Sequence, residues 1–450
     1  MKSVALHNLG CKVNGYEMDV MQQILQEKGY KIVPFDKPAD IYIINTCTVT
    51  NIADQKSRQM LHRARKQNPE AIVVAAGCYV QTGRERVEKD EAVDLVIGNN
   101  RKKDIALILE EYLQKKENGL LLPEDKTLRD KTVIDINHTT EYERMQLTKT
   151  REHTRAYVKI QDGCNQFCSY CIIPYARGRV RSRREEDILE EVAGIVKSGY
   201  REIVLTGIHI SSYGIDRGAP KLLSLLKKLN EVQGLARIRL GSLEPGIVTE
   251  EFAAKISTLS KICPHFHLSL QSGCDETLRR MNRRYTTGEY LEKVEILRKY
   301  FTDPAITTDV IVGFPGETEE EFLCTEAFLR KVRFYEMHVF KYSKRQGTRA
   351  ALMKEQIPDV VKAERSNRLL QLEKQMSDAY RRSFIGKEAE ILFEEEKEFD
   401  GKVYCIGHTA QYIRAAAGNA LRGRIMKGVL TDFPEEGILG VQELKSVEND

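Results

Sequence analysis

Three cysteines, Cys164, Cys168 and Cys171, fall within eight residues in the segment DGCNQFCSYCIIP. Thiols this close together call for a metal. A structural zinc site closes a tetrahedron with four protein ligands, and no paired fourth Cys or His lies nearby in the sequence. A cubane iron–sulfur cluster held by three cysteines instead leaves one iron without a protein ligand, free to chelate a small molecule. Another trio is spread along the chain: Cys11 in NLGCKVN, Cys47 in INTCTVT and Cys78 in AAGCYVQ. Taken singly, each reads as a buried core cysteine. Each, however, comes just past the carboxyl end of a predicted strand, and parallel strands bring such ends to one sheet edge. That shared placement, beside a Gly, Asn or Thr that permits a tight turn, predicts a second cluster with another open iron. Cys263, Cys274, Cys324 and Cys405 show no ligand spacing, and His7, His209 and His338 read as ordinary core or loop histidines.

The elements that must position these thiols follow from hydrophobic periodicity. Up to residue 117, short β-branched runs (SVALHNL, DIYIIN, AIVVAAG, VDLVIG) alternate with helical segments, which predicts a parallel α/β domain. Residues 118–150 are polar, lack a sustained period and read as a linker with at most one short strand. A longer α/β series occupies 151–382. Its strands begin at AYVKI, EIVLTG, ARIRLGS, FHLSL, AITTDVIV and YEMHVF, which predicts a partial (βα)6 barrel with its active residues at the C-terminal strand ends. Ser182 and Glu185 fit a capping box ahead of a helix whose Ile188, Val192 and Ile195 share one face. After a helix near 358–382, residues 383–450 switch to a strand period and predict a small β-barrel of a kind that often grips nucleic acid.

With 450 residues, 41% hydrophobic and 30% charged, the chain is too large for a disulfide-stapled miniprotein. No apolar run approaches the roughly 18 residues that cross a bilayer, so no membrane partner is expected. The opening MKSVALHNLGCK lacks the features of a signal peptide, so the ten cysteines are expected to meet a reducing cytoplasm. A net charge of +4 neither demands nor excludes nucleic acid, and local clusters must decide.

The C-x3-C-x2-C loop, with Tyr170 before the last cysteine and a βα barrel around it, resembles the radical S-adenosylmethionine superfamily. The resemblance implies that Cys164, Cys168 and Cys171 hold a [4Fe-4S] cluster whose open iron chelates S-adenosylmethionine. It also gives Tyr170, Thr206, Gly207, Ser269, Gln271, Gly313 and Gly316 as cofactor contacts; as plain residues these read equally as strand-end and turn positions. The three-domain order resembles the methylthiotransferases over nearly the whole chain, with the last domain corresponding to their RNA-binding TRAM domain. Within that family, LGCKVNGYE, RIRLGSLEP and FHLSLQSGCDETLRRMNRRYT look most like the bacterial tRNA enzymes acting on N6-threonylcarbamoyladenosine beside the anticodon. Such an enzyme replaces the hydrogen on carbon 2 of adenosine 37 by a methylthio group. One S-adenosylmethionine methylates sulfur on the Cys11, Cys47 and Cys78 cluster, and another generates the radical. The resemblance also implies an electron donor such as flavodoxin or ferredoxin, whereas the sulfur donor has no residue signature. The alternatives are methylthiolation of isopentenyladenosine or of a ribosomal-protein side chain and, outside enzymes, a zinc-dependent RNA-binding protein.

Basic residues cluster in ARGRVRSRR, with Arg177 and Arg179 next to the cysteine loop, and in LRRMNRRY. Both are candidates for phosphate contact, and both also fit a solvated face paired with nearby acids. In the last domain Arg414, Arg422 and Arg424 mark an RNA-binding face, with Tyr412 either stacking on a base or lying in the core.

Overall fold

The computed structural model describes residues 1–128, 131–148, 154–418, 421–433 and 435–447. The first domain is a parallel sheet of β1 (Ser3–Asn8), β2 (Lys31–Val33), β3 (Ile41–Thr46), β4 (Ile72–Gly77) and β5 (Leu95–Ile97), in the order β2-β1-β3-β4-β5. β3 and β4 are buried along their whole length, as their unbroken apolar runs require of strands covered on both faces. The edge strand β2, three residues long, is too short to register as a period. The polar segment after residue 117 packs back onto this domain: Leu128, Met145 and Leu147 join one side of its core and Val133 the other.

The second domain carries six parallel strands: β6 (Arg155–Lys159), β9 (Glu202–Thr206), β10 (Arg237–Leu240), β11 (His265–His267), β12 (Ala305–Val312) and β13 (Glu336–Lys341). Between the first two lies a small antiparallel pair, β7 (Gln161–Asp162) and β8 (Arg181–Ser182). Parallel bridges Ile238–Ile262 and Leu243–Leu268 join the two halves into one curved sheet that starts at β6 and ends at β13, the expected partial barrel. Its strands alternate strictly. Ile203, Leu205, Ile238, Leu240, Val310 and Val312 point outward into the helix-packed core. Burying each contributes about 1.5–3 kcal/mol, so a one-residue slip, which would turn Glu202, Arg237, Arg239 and Asp309 toward the helices, is strongly disfavoured. The alternate residues face the lumen and pair between neighbouring strands: Arg239 Nε donates to Glu202 Oε1 at 2.8 Å, and His267 Nε2 lies 3.2 Å from Asp309 Oδ2.

The helix Glu185–Lys197 buries Ile188, Val192 and Ile195 as its spacing predicts. The expected capping box is absent. Ser182 bonds Asp216 instead, the N-cap is Arg184, and Glu185 is the first helical residue.

The last domain is a closed barrel of β14 (Glu388–Phe399), β15 (Lys402–Thr409), β16 (Arg414–Ala417), β17 (Ile425–Thr431) and β18 (Leu439–Ser446), in the order β14-β15-β16-β18-β17. It is seated against the amino ends of the second-domain strands. Tyr412 lies under the guanidinium groups of Arg155 and Arg239, 5.0 and 4.7 Å from its ring centroid, and stacks on His408. Arg237 and Arg239 donate to the carbonyls of His408 and Ala410. Tyr412 is thus half-buried at the boundary of the two domains, its ring engaged by Arg155, Arg239 and His408.

Candidate active site

The first cysteine trio is built on the carboxyl ends of β1, β3 and β4. Cys11 caps the helix Lys12–Glu27 in extended conformation without using its side chain, and Cys78 opens the helix Cys78–Thr82. The strand-end loops crowd so closely that glycine is required. Gly10 has φ +103°, and a Cβ there would stand 2.9 Å from both Cβ and Sγ of Cys47. Ser57 clamps the Cys47 backbone, accepting from its N–H at 3.3 Å and donating to its carbonyl at 3.1 Å. Burial raises the Cys11 thiol and pushes the Cys47 thiol up to about 11; Cys78 adds to both, and Cys11 and Cys47 are close enough for Cys11 to add to Cys47. Three thiols far apart in sequence thus share one site.

The second trio lies on the loop after β7. Gly163 starts it at φ +74°, where a Cβ would fall 1.8 Å from the Arg179 carbonyl oxygen. The segment around Met281 holds it from outside. Ser169 N–H donates to the Met281 carbonyl, Asn282 Nδ2 to the Phe167 carbonyl, and Arg283 Nη1 to Cys168 Sγ at 3.3 Å. Burial pushes the Cys164 thiol up to about 11 and the Cys171 thiol up to about 12, with Cys168 adding to each.

The two trios are joined through Arg177, six residues beyond Cys171. Its Nε donates to Cys78 Sγ at 3.3 Å, and its Nη atoms bind Asn14, Glu17 and Asp162. Asn99 Nδ2 adds a parallel link, donating to the Ala176 carbonyl at 2.7 Å and approaching Cys78 Sγ at 3.5 Å. Around Arg177 runs a fully buried charge network: Glu17 pairs with Lys102, Lys159 and Arg177, while Asp162 pairs with Lys159 and Arg177. Burial pushes the Glu17 carboxyl up, but the charges of Arg177, Lys102 and Lys159 outweigh it and hold it well below the usual range. Asp162 is held to about 2 by Lys159 and Arg177 against the same desolvation. Beside this seam a pocket of about 240 Å³ opens, lined from the first domain by Val49 and Thr50, and from the second by Tyr170, Cys171, Gln271, Asp309 and Phe340 among others. A larger recess of about 670 Å³, lined by Arg298, Tyr335, Tyr380 and their neighbours, contains no cysteine.

Of the expected cofactor contacts, Tyr170 and Gln271 line the pocket, Gln271 with φ +72°. Thr206 ends β9 and Gly207 follows it, where a Cβ would stand 3.0 Å from the Gln161 carbonyl oxygen. Ser269 follows β11, and its carbonyl accepts from Tyr285 at 2.7 Å and Arg283 at 3.2 Å. Gly313 and Gly316 have φ near +70° and +76° and pack against Lys362 and Glu355, so a tight turn explains them locally.

Arg177 is a correction. Its side chain is 0% exposed and wholly engaged in the charge network, so no RNA phosphate reaches it. Arg181 and Arg183 are buried too, Arg183 against Glu191. Arg283 is committed to Glu244 and Cys168. Arg179 is exposed over the Phe167 ring at 4.4 Å, Arg422 and Arg424 are exposed, and Arg414 is half-buried beside Glu395. Sequence reading also missed His267, Asp309 and His338, which gather in the lumen from three adjacent strands. Adjacency of those strands was predictable; their lumen-facing phase was the available signal.

The donor chemistry fits two clusters. Tetrahedral zinc places its sulfurs about 3.8 Å apart. Among the described residues the group whose ligand atoms all lie within 4.8 Å of one another is His267, Asp309 and His338, so neither cysteine trio is drawn together as a single ion would demand. Each trio instead has raised thiols that need a strongly cationic partner to ionise, plus an arginine donating to one sulfur.

Residues 158–329 match the Radical SAM superfamily, and residues 3–98 match the Uncharacterized protein family UPF0004. The chain is 40% identical over 418 residues to the threonylcarbamoyladenosine tRNA methylthiotransferase MtaB of Bacillus subtilis, covering 92% of this chain and 90% of that one. It is 34% identical to the tRNA-2-methylthio-N(6)-dimethylallyladenosine synthase of Carboxydothermus hydrogenoformans, covering 97% and 99%. Among solved structures, the radical S-adenosylmethionine methyltransferase TsrM of Kitasatospora setae shares the fold, with a TM-score of 0.54 at 16% identity over 76% of this chain and 73% of that one.

Proposed function

Because this chain belongs to the radical S-adenosylmethionine methylthiotransferases, enzymes that use S-adenosylmethionine and [4Fe-4S] clusters, we propose that it modifies N6-threonylcarbamoyladenosine at position 37 of tRNA, placing a methylthio group on carbon 2. The observation that carries the reading is the meeting of the two cysteine trios at one seam, with Arg177 reaching from the second-trio loop to Cys78 and a pocket opening beside Cys171. Cys164, Cys168 and Cys171 hold one cluster, and Cys11, Cys47 and Cys78 hold the other. Carbon 2 of adenine yields poorly to acid, base or nucleophile; the clusters and S-adenosylmethionine, when bound, would supply the radical and the methyl group.

The chain's own residues do the rest. Arg283 and Arg177 donate to Cys168 and Cys78, stabilising negative charge on those sulfurs. Val49, Ile172, Ile311 and Phe340 give the pocket an apolar lining, and Gln271 with Asp309 offers polar groups to a base or ribose. Arg422 and Arg424 present exposed charge to the RNA backbone. A small reduced protein such as flavodoxin or ferredoxin delivers the electrons.

The threonylcarbamoyl assignment is favoured by the relatives of higher identity, from Bacillus subtilis and Aquifex aeolicus, over the dimethylallyl enzymes at 34–35%. The test is anaerobic reconstitution followed by incubation with tRNA bearing either nucleoside, and mass spectrometry of the digested products. Methylthiolation of the threonylcarbamoyl substrate is expected. Product only from the isopentenyl substrate, or from neither RNA, overturns the reading.

A further inference from the structure

Two histidines outside the proposed chemistry, His267 and His338, flank Asp309 on the lumen face of the barrel sheet. The strand register explains the grouping. In the parallel ladders His267 on β11 pairs with Thr307 on β12, and Asp309, two residues further along β12 and so on the same face, pairs with His338 on β13. One nitrogen of each ring and one carboxylate oxygen all lie within 4.8 Å of one another, and His267 Nε2 stands 3.2 Å from Asp309 Oδ2. The two imidazole planes are 22° apart with centroids separated by 5.8 Å. His267 Nδ1 lies 3.0 Å from Thr307 Oγ1, which holds the ring with Nε2 toward the carboxylate. Among the described residues no lysine or arginine forms an ion pair with Asp309, and His338 has no hydrogen-bond partner.

Two imidazole nitrogens and one carboxylate are the donor set of open first-row metal sites, which keep positions for an outside ligand. At metal–ligand bonds of about 2.0–2.2 Å, a tetrahedral ion holds nitrogen and oxygen donors about 3.3–3.5 Å apart, so the exposed His338 has at most about 1.5 Å to close. Thr307 supplies the outer contact that orients a metal-ligating histidine, because donation from Nδ1 to its hydroxyl leaves the Nε2 lone pair for a cation. Asp309 also lines the pocket beside Cys171, so the group borders that pocket. We propose that His267, Asp309 and His338 bind one first-row divalent cation of the Fe2+ or Zn2+ class at the pocket wall. The cation takes the place of the proton that His267 and Asp309 otherwise share as a simple ion pair, and the test separates the two states. The proposal holds whichever nucleoside is modified.

The reconstituted enzyme, loaded with its clusters, is cleared of loose metal with EDTA, desalted and dialysed to equilibrium against Zn2+ without oxygen. Zinc, iron and sulfide are then measured per chain. Wild type should take up one Zn2+ per chain at micromolar free zinc with its iron unchanged. Zinc-edge X-ray absorption of that sample should show nitrogen and oxygen donors at about 2.0–2.1 Å and no sulfur at about 2.3 Å. His338→Ala and Asp309→Asn should each weaken the uptake at least about tenfold, the equivalent of about 1.4 kcal/mol, with iron, sulfide and far-UV circular dichroism as in wild type. Three results overturn the proposal, and the first two need no variant. Wild type that takes up no zinc leaves His267 and Asp309 a proton-sharing pair. A sulfur shell, or uptake matched by loss of iron, places the zinc on cysteines. Uptake equal in wild type and both variants places it elsewhere on the chain.

Discussion

Glu17→Gln should loosen the seam that brings the two cysteine trios together. Glu17 and Asp162 are the two carboxylates among three buried cations, Lys102, Lys159 and Arg177. Lys159 Nζ stands 2.6 Å from Glu17 Oε1, where Coulomb attraction at an effective dielectric of about 20 is about 6 kcal/mol gross. Desolvation cancels part of that in the intact network, and the amide keeps some hydrogen bonds, so the net loss is about 3–5 kcal/mol. The chain has no tryptophan, so urea unfolding of reduced, metal-free protein is best followed by far-UV circular dichroism. The midpoint should fall by about 1 M or more. The double variant Glu17→Gln, Lys102→Met, which removes one cation along with the carboxylate, should recover at least half of the loss. The pH dependence has a definite sign. Both folded carboxyls lie below their ordinary values, so their contribution is complete at neutral pH and is lost as pH falls through about 4 toward about 2. An unchanged midpoint, or a double variant worse than the single, would refute the reasoning.

Alanine at Cys164, Cys168 or Cys171 should abolish both reductive cleavage of S-adenosylmethionine and product; alanine at Cys11, Cys47 or Cys78 should stop product and leave cleavage, measured as 5′-deoxyadenosine. Loss of cleavage in folded variants of Cys11, Cys47 or Cys78 would contradict that division. Tyr412→Ala should cost about 1–3 kcal/mol by removing the ring on which Arg155, Arg239 and His408 pack, seen as faster proteolytic release of the last domain at unchanged RNA sequence preference. Arg422→Glu with Arg424→Glu should weaken tRNA binding and flatten its salt dependence, with a slope change of about 1–2. An unaltered slope would place the RNA elsewhere.

The local and the periodic were legible in the sequence. The C-x3-C-x2-C loop needs no tertiary knowledge, and the six barrel strands announce themselves by length and β-branched content. The first trio was legible because parallel topology alone brings strand ends together. What the sequence hid was the partner of each charge. Arg177 and Arg183 read like solvent arginines until Glu17, Asp162 and Glu191 arrive from other elements to bury them. Ser182 looked like a helix cap because Asp216, its actual partner, lies 34 residues away. The grouping of His267, Asp309 and His338 depends on which strand face turns inward, a phase that only the closed sheet fixes. Tyr412 sits at φ +71°, a backbone state that lets its ring turn under Arg155 and Arg239 and that no side-chain pattern announces.

The central claim is that both trios carry clusters and that these face each other across one seam. Low-temperature EPR of the reduced, reconstituted enzyme tests it directly, alongside the two triple-cysteine variants. The account predicts that each variant retains one cluster with a simple isolated spectrum, and that wild type shows a spectrum broadened by spin–spin coupling between two. A wild-type spectrum equal to the sum of the two variants, or iron and sulfide for one cluster alone, would contradict it.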